Sequence, residues 1–228
     1  MTAPENPLTA AAHSNYEKRA ARFWNRLADY YFKQPIQDEE AYQKKLEMTQ
    51  AYFTPKSSIL EFGCGTGGTA LKHAPFVERV HAIDISSKMI DIATSQAESS
   101  DLAVSNVTFE CAGIDNFQAS QPYDVVLGMS ILHLLPNKDQ VLQRIHGMVK
   151  PGGYFVSSTP CLGDHSAGTF IKFVAPPLSF LGIIPKLTIF TKSELKSSIE
   201  KAGFSIEEEF QPGNQKEKAV LIVAKKIT

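Results

Sequence analysis

A short apolar strand that ends in an acid and then breaks into a glycine-studded turn constrains this chain more than any other stretch. Ile59-Leu60-Glu61-Phe62 supplies the strand, and Gly63-Cys64-Gly65-Thr66-Gly67-Gly68 supplies the turn. Glycine at alternate positions leaves space and bare backbone N–H groups where a cofactor can come close. About twenty residues on, His81-Ala82-Ile83-Asp84 reads as a second strand closed by a carboxylate. That spacing from glycine turn to acid suits a ribose-binding nucleoside site. Gly63, Gly65 and Gly68 also satisfy G-x-G-x-x-G, so the turn alone leaves NAD open as the nucleoside.

The rest of the chain reads as an alternation of strands and helices. Residues 1–12 are small, polar and interrupted by proline, and are expected to be disordered. Helical spacing covers 14–32, and a second helix starts after Asp38 and runs towards Phe53, so that 13–54 form a helical lid. Strands are expected at 58–62, 80–85, 107–111, 123–130 and 154–158, with helices between them and a turn at Pro151-Gly152-Gly153. Such alternation implies a parallel sheet covered on both faces, with ligands at the carboxyl ends of its strands. The end of the chain departs from this. After a helix capped by Thr191 and stopped by Gly203, strands at 204–211 and 219–224 flank Pro212-Gly213-Asn214-Gln215 as an antiparallel hairpin. Residues 55–228 therefore form the main domain, with an apolar insertion at about 160–190.

Composition narrows the partners. The chain has 228 residues, 43% of them hydrophobic, and a net charge of −1. It can bury a real core, and its charge gives no reason to expect nucleic acid. The cysteines, Cys64, Cys111 and Cys161, are odd in number and lack metal-ligand spacing, so a reducing cytoplasm without structural disulfides and without a metal is expected. The start of the chain lacks the basic and apolar regions of a signal peptide, and no apolar run reaches membrane-spanning length.

Several motifs together resemble the class I S-adenosylmethionine-dependent methyltransferases. Glu61-Phe62-Gly63-Cys64-Gly65-Thr66-Gly67 is similar to that family's first motif, and Ala82-Ile83-Asp84-Ile85-Ser86 followed by Met89 to its second. Tyr123-Asp124-Val125-Val126-Leu127 with Leu132-His133 resembles the fourth-strand motif, and Val149-Lys150-Pro151-Gly152-Gly153 the approach to strand five. The likeness is strongest to the ubiquinone and menaquinone methyltransferase branch. It implies a Rossmann-like α/β fold with a seven-stranded, mostly parallel sheet in the order 3-2-1-4-5-7-6, helices on both faces and a C-terminal antiparallel hairpin. It also implies S-adenosyl-L-methionine as cofactor and S-adenosyl-L-homocysteine as product.

The resemblance assigns roles to particular residues, each with a plainer alternative. Glu61 would face the methionine ammonium, or else be a satisfied strand-end carboxylate. Asp84 would accept from the ribose hydroxyls, or cap the following helix. Gly63, Cys64, Gly65 and Gly67 would form the cofactor turn, with Ile85 and Met129 beside it. Ile114 would cover a face of the adenine and Asp115 accept from its exocyclic amine, although Asp115 also suits the surface. Met89 would pack on adenine or ribose, or simply belong to the core. Tyr31, within Trp24-Asn25-Arg26-Leu27-Ala28-Asp29-Tyr30-Tyr31, would close over the methionine end, or pack the lid on the sheet. His133, just past strand four, is the candidate catalytic base, with a purely structural role as the alternative.

The implied reaction is in-line displacement of the methyl group from sulfur, in which the protein aligns the partners and excludes water. A base is required only where the acceptor must lose a proton. Met129-Ser130-Ile131-Leu132 follows strand four in place of an Asn-Pro-Pro-Tyr type motif, which argues against methylation of protein amides or DNA adenine. The apolar, proline-broken stretch 170–185 suits a cover over a small hydrophobic or amphipathic acceptor, lipid- or quinone-like, with transient contact at a membrane surface. A dimer contact would use the same composition. Two other classes stay open on the residues alone: an NAD-dependent oxidoreductase, and a non-catalytic nucleoside-binding regulator.

Overall fold

The computed structural model describes residues 7–99, 105–165, 168–180, 184–214 and 219–227. Seven strands form one sheet: β1 (Ser58–Phe62), β2 (Arg79–Asp84), β3 (Val107–Cys111), β4 (Tyr123–Met129), β5 (Val149–Thr159), β6 (Phe204–Phe210) and β7 (Val220–Lys226). Their order is β3-β2-β1-β4-β5-β7-β6, as the family resemblance implies. β1 to β5 run parallel, and β7 enters antiparallel between β5 and β6, with Phe155 opposite Ala224.

Alternation along the strands splits the apolar residues between two cores. Leu60, Phe62, Val126, Phe155 and Ile222 face one side, where α5 (Lys138–Met148) and α7 (Lys192–Lys201) add Leu142, Ile145, Leu195 and Ile199. Ile59, Val80, Val125, Leu127, Val156 and Val223 face the other. There they meet Ala70 of α3 (Gly68–His73) and Met48 of α2 (Glu39–Gln50). All five residues of β1 are buried, so the central strand sees water on neither face.

Local chemistry sets the helix boundaries. Asp38 caps α2 by accepting from the Ala41 N–H, and Thr191 and Glu194 form a reciprocal capping box on α7. Gly203 ends α7 with φ +98°, a conformation that favours glycine. α4 (Ser87–Ser99) begins with the Ser86 hydroxyl accepting from the Met89 N–H. Two further helices, α1 (Pro7–Phe32) and α6 (Gly168–Phe180), flank the carboxyl edge of the sheet. Among the described residues, no helix is long and apolar enough to cross a membrane.

Two local expectations need correction. α1 starts at Pro7, so the expected disorder over 1–12 does not hold for 7–12; residues 1–6 lie outside the described residues. Proline suits a first helical turn because its missing N–H would have no partner there, and alanines 10–12 favour helix after it. β5 begins at Val149, so that Pro151-Gly152-Gly153 is an irregularity inside a strand rather than a turn before it, with a register shift opposite β4. The expected terminal hairpin is present: β6 and β7 pair antiparallel, with a short 3₁₀ segment at Pro212–Asn214 after β6, and Gln215 lies outside the described residues.

Gly67 shows how tightly the turn after β1 is built. Its φ is +83°, and a Cβ there would meet Phe109 and Ala93 at 2.8 Å. Gly67→Ala therefore combines a left-handed backbone with overpacking, and an expected loss of about 2–4 kcal/mol follows. Urea denaturation measures it; a change below about 0.5 kcal/mol would mean that the turn relaxes freely.

Candidate active site

The site is assembled where β1, β2 and β4 end. A cavity of about 300 Å³ opens there. Tyr31, Gly63, Gly65, Asp84, Ile85, Met89, Ile114, Met129 and His133 all line it, so nine of the residues singled out in the sequence share one wall. The backbone turn Phe62-Gly63-Cys64-Gly65 forms its floor. The Cys64 N–H donates to the Ile83 carbonyl (3.0 Å), and the Gly67 N–H donates to the Cys64 carbonyl (3.0 Å). A Cβ on Gly65 would have only Tyr31 Cε1 near it, at 3.9 Å, so the turn leaves room for a ligand at that point.

Two carboxyl groups dominate the electrostatics. Asp84, the last residue of β2, accepts from the Ser86 N–H at 2.8 Å through Oδ1 and from the Gly65 N–H at 3.0 Å through Oδ2. Burial still pushes its pKa up against those two bonds. Glu61 is 2% exposed at the end of β1, and its Oε2 has no hydrogen-bond partner among the described residues. Burial, and secondarily the Asp84 charge, push Glu61 up to about 8. A buried carboxyl in this condition stays protonated at neutral pH until a cation arrives.

Four predicted residues stand off the cavity wall: Glu61, buried at the end of β1, and Gly67, Cys64 and Asp115. Gly67 packs against Phe109 and Ala93, so its role is to bring α3 and α4 close. Cys64 is buried at 8% exposure and contributes backbone to the turn, while burial holds its thiol well above the usual range. Asp115 turns away because Asn137 Nδ2 donates to its Oδ1 at 2.8 Å.

The roof comes from both ends of the chain. Asn25 on α1 accepts from the Ser86 hydroxyl (2.6 Å) and the Lys88 N–H (3.2 Å), tying α1 to the start of α4. Asn116 Nδ2 donates to Glu17 at 2.7 Å, and the Tyr16 hydroxyl donates to the Leu134 carbonyl. Trp24 and Tyr31 meet edge to face, with centroids 6.3 Å apart. Tyr31 is 51% exposed, while its hydroxyl is pushed up by burial and by Asp84 and Glu61. From the other end, the strap 184–190 crosses the loop after β4. The Thr188 N–H donates to the His133 carbonyl (2.7 Å) and its hydroxyl to the Leu135 carbonyl (2.8 Å). Pro185 and Leu187 thereby join the wall.

His133 lines the cavity with its Nδ1 buried and unpartnered among the described residues, and burial lowers its pKa to about 4. The imidazole is therefore neutral at physiological pH. Sequence reasoning missed Ser130, Trp24, Pro185 and Leu187 as wall residues. Ser130 takes φ +55°, a rare conformation for a residue other than glycine, while its N–H donates to the Ser158 carbonyl at 2.7 Å. Such strain concentrates at functional sites, and no sequence signal marks it.

With this geometry in place, likeness to known proteins becomes informative. Residues 53–219 match the family described as "Methyltransferase domain", and the chain belongs to that family. It is 25% identical over 208 residues to the ubiquinone biosynthesis O-methyltransferase of Thiobacillus denitrificans, covering 88% of this chain and 85% of that one. It is 32% identical over 108 residues to the malonyl-[acyl-carrier protein] O-methyltransferase of Bacillus cereus, covering 46% of this chain and 38% of that one. The crystal structure of the N-methyltransferase NodS from Bradyrhizobium japonicum, in complex with S-adenosyl-L-homocysteine, superposes with a TM-score of 0.70. The identity is 16%, covering 92% of this chain and 97% of that one, so this last likeness is one of fold. The protein is thus an S-adenosylmethionine-dependent methyltransferase, and the oxidoreductase and non-catalytic readings are set aside.

The residues present suit that cofactor. A buried, unpartnered Glu61 oxygen can receive an ammonium group, Asp84 retains acceptor capacity for hydroxyls, and the turn around Gly65 leaves room beside them.

The Glu61 carboxyl also makes stability depend on pH. Between about pH 4.5 and 8 the folded, ligand-free chain holds a proton that the unfolded chain has released. Stability therefore falls as pH rises through that window and levels off above it. The swing attributable to Glu61 is about 4 kcal/mol, and it disappears in Glu61→Gln. Urea denaturation of both proteins at about pH 5 and about pH 8.5 measures it. Parallel pH dependence in the two proteins would show that Glu61 is ionised throughout.

Proposed function

We propose that the protein methylates a small hydrophobic or amphipathic acceptor, with the cofactor seated on Glu61, Asp84 and the glycine turn. The observation that carries this reading is a largely apolar cavity, lined by Trp24, Tyr31 and Leu187, with Asp84 on its wall and the buried, unpartnered Glu61 at the adjacent strand end. When bound, S-adenosylmethionine supplies a methyl group already activated by its sulfonium. Glu61 takes the methionine ammonium, which draws its proton off and leaves a charged pair shielded from water. Asp84 accepts from the ribose hydroxyls while the Gly65 and Ser86 N–H groups hold it in place. Ile114 and Met89 would pack on the adenine or ribose, and Tyr31 would cover the methionine end. The strap and α1 exclude water and hold the acceptor in line with the methyl group.

The acceptor's class is supported by the apolar roof and by the likeness to a ubiquinone biosynthesis O-methyltransferase. An acceptor hydroxyl loses its proton as oxygen attacks, and we assign the receipt of that proton to neutral His133, whose position on the cavity wall supports the reading.

Two substitutions separate these roles. Asp84→Ala is expected to weaken S-adenosylhomocysteine binding by about 1–3 kcal/mol, read by calorimetry. Unchanged affinity would remove the nucleoside from this wall. His133→Ala is expected to lower kcat towards a phenolic acceptor about 10²–10⁴-fold while cofactor affinity is kept. A loss of under about threefold would make His133 a wall residue only.

A further inference from the structure

A second cavity, about 1230 Å³, lies between α1 and the strap that follows α6. It shares Trp24, Pro185 and Leu187 with the cofactor cavity, so the two meet along those side chains. Phe23, Ala175, Pro176, Ile184 and Ile189 give it apolar walls, interrupted by the uncharged polar side chains of Asn15, Asn25 and Ser179. Its charge is one-sided. Arg19, Arg22 and Arg26 recur at helical spacing along one face of α1, and Lys186 stands on the strap opposite, its Nζ 5.8 Å from the Tyr16 ring centroid. Among the described residues, no carboxylate lines this cavity.

The nearest acids are engaged elsewhere. Glu17 accepts from Asn116 and Asp115 accepts from Asn137. Asp29 continues the arginine face of α1 one turn on but does not reach the lining. Arg19 and Arg26 have interactions of their own within the protein, so Arg22 on α1 and Lys186 on the facing strap, whose ammonium rests near the Tyr16 ring, are the positions tested. The chain as a whole carries a net charge of −1, so this positive chamber is a local feature and not a consequence of a basic protein.

We infer that this chamber receives the acceptor, and that the acceptor is an anionic amphipath: an apolar body bearing a carboxylate, sulfate or phosphate. The inference rests on reading the smaller cavity as the cofactor site. Apolar walls remove the body from water, while a guanidinium and an ammonium on facing elements bind the anion. A neutral quinol or alcohol of equal size would gain the first contribution and not the second. A cationic amphipath would be repelled. The arrangement thus adds a charge requirement to the hydrophobic one, and Trp24 at the junction places the acceptor's far end beside the cofactor cavity.

Trp24 is the chain's single tryptophan and lines both cavities, which makes its fluorescence a direct reporter. The full chain, saturated with S-adenosylhomocysteine, would be titrated with decanoate, decanol and decyltrimethylammonium below their micelle-forming concentrations. Decanoate is expected to bind about tenfold or more tighter than decanol, with decyltrimethylammonium weakest. The preference should collapse in Arg22→Gln/Lys186→Gln, a variant whose folding is checked by its calorimetric affinity for S-adenosylhomocysteine. Equal affinity for decanoate and decanol, or a preference that survives in the variant, overturns the inference. So does co-sedimentation with phosphatidylglycerol vesicles in the absence of any decanoate preference, since the cations would then face a membrane. Failure of wild type to bind S-adenosylhomocysteine would instead overturn the reading of the smaller cavity, whatever decanoate does.

Discussion

A carboxyl group enclosed at the end of the central strand is the constraint around which this molecule is arranged. β1 is buried on both faces, so Glu61 cannot reach water, and no partner among the described residues satisfies its Oε2. Burial of an acid at this position disfavours the ionised form, and the fold tolerates it because the proton stays on. Asp84 sits at the next strand end and is held instead by two backbone N–H groups. Two acids in adjacent positions are thereby given opposite conditions: one tied to the backbone, the other waiting for a cation.

The glycine turn and the flanking helices follow from that arrangement. Gly63 and Gly65 take positive φ so that the chain can leave β1 without covering the carboxyls. Gly67 lets α3 and α4 close behind the turn, against Phe109 and Ala93. α1 then crosses the mouth, tied by polar contacts at Asn25, Glu17 and Tyr16. The strap is fixed to the loop after β4 through Thr188, which brings Leu187 and His133 to the same wall. Polar bonds hold the roof, and most of the side chains that face the cavity are apolar.

Much of this was legible because it is written in local order. The strand, the glycine turn and the second acid lie at short, regular spacing, and strand–helix alternation gives the parallel sheet. The terminal hairpin could be read from two β-rich runs around Pro212-Gly213, since turn chemistry is local too. Features that depend on distant partners were not readable in the same way. Pro185 and Leu187 share a cavity wall with Trp24 from more than 150 residues away, and although 13–54 read as a lid and 170–185 as a cover, nothing in either stretch says that they share it. Asp115 looked available for adenine, but its direction is decided by Asn137, 22 residues on. Gly67 read as part of the cofactor turn when its lack of a side chain serves helix packing. Ser130's left-handed backbone is imposed by its bond to Ser158 and by the end of β4, not by any preference of serine.

The protonated state of Glu61 gives the most direct test. S-adenosylmethionine binding would be measured calorimetrically at about pH 7 in buffers of different ionisation enthalpy, for wild type and for Glu61→Gln. The expected result is release of about one proton per molecule bound by wild type, as the arriving ammonium displaces the one that Glu61 holds, and almost none by the variant. Binding without proton release in wild type, or equal release in the two proteins, would contradict the central role given to this buried carboxyl.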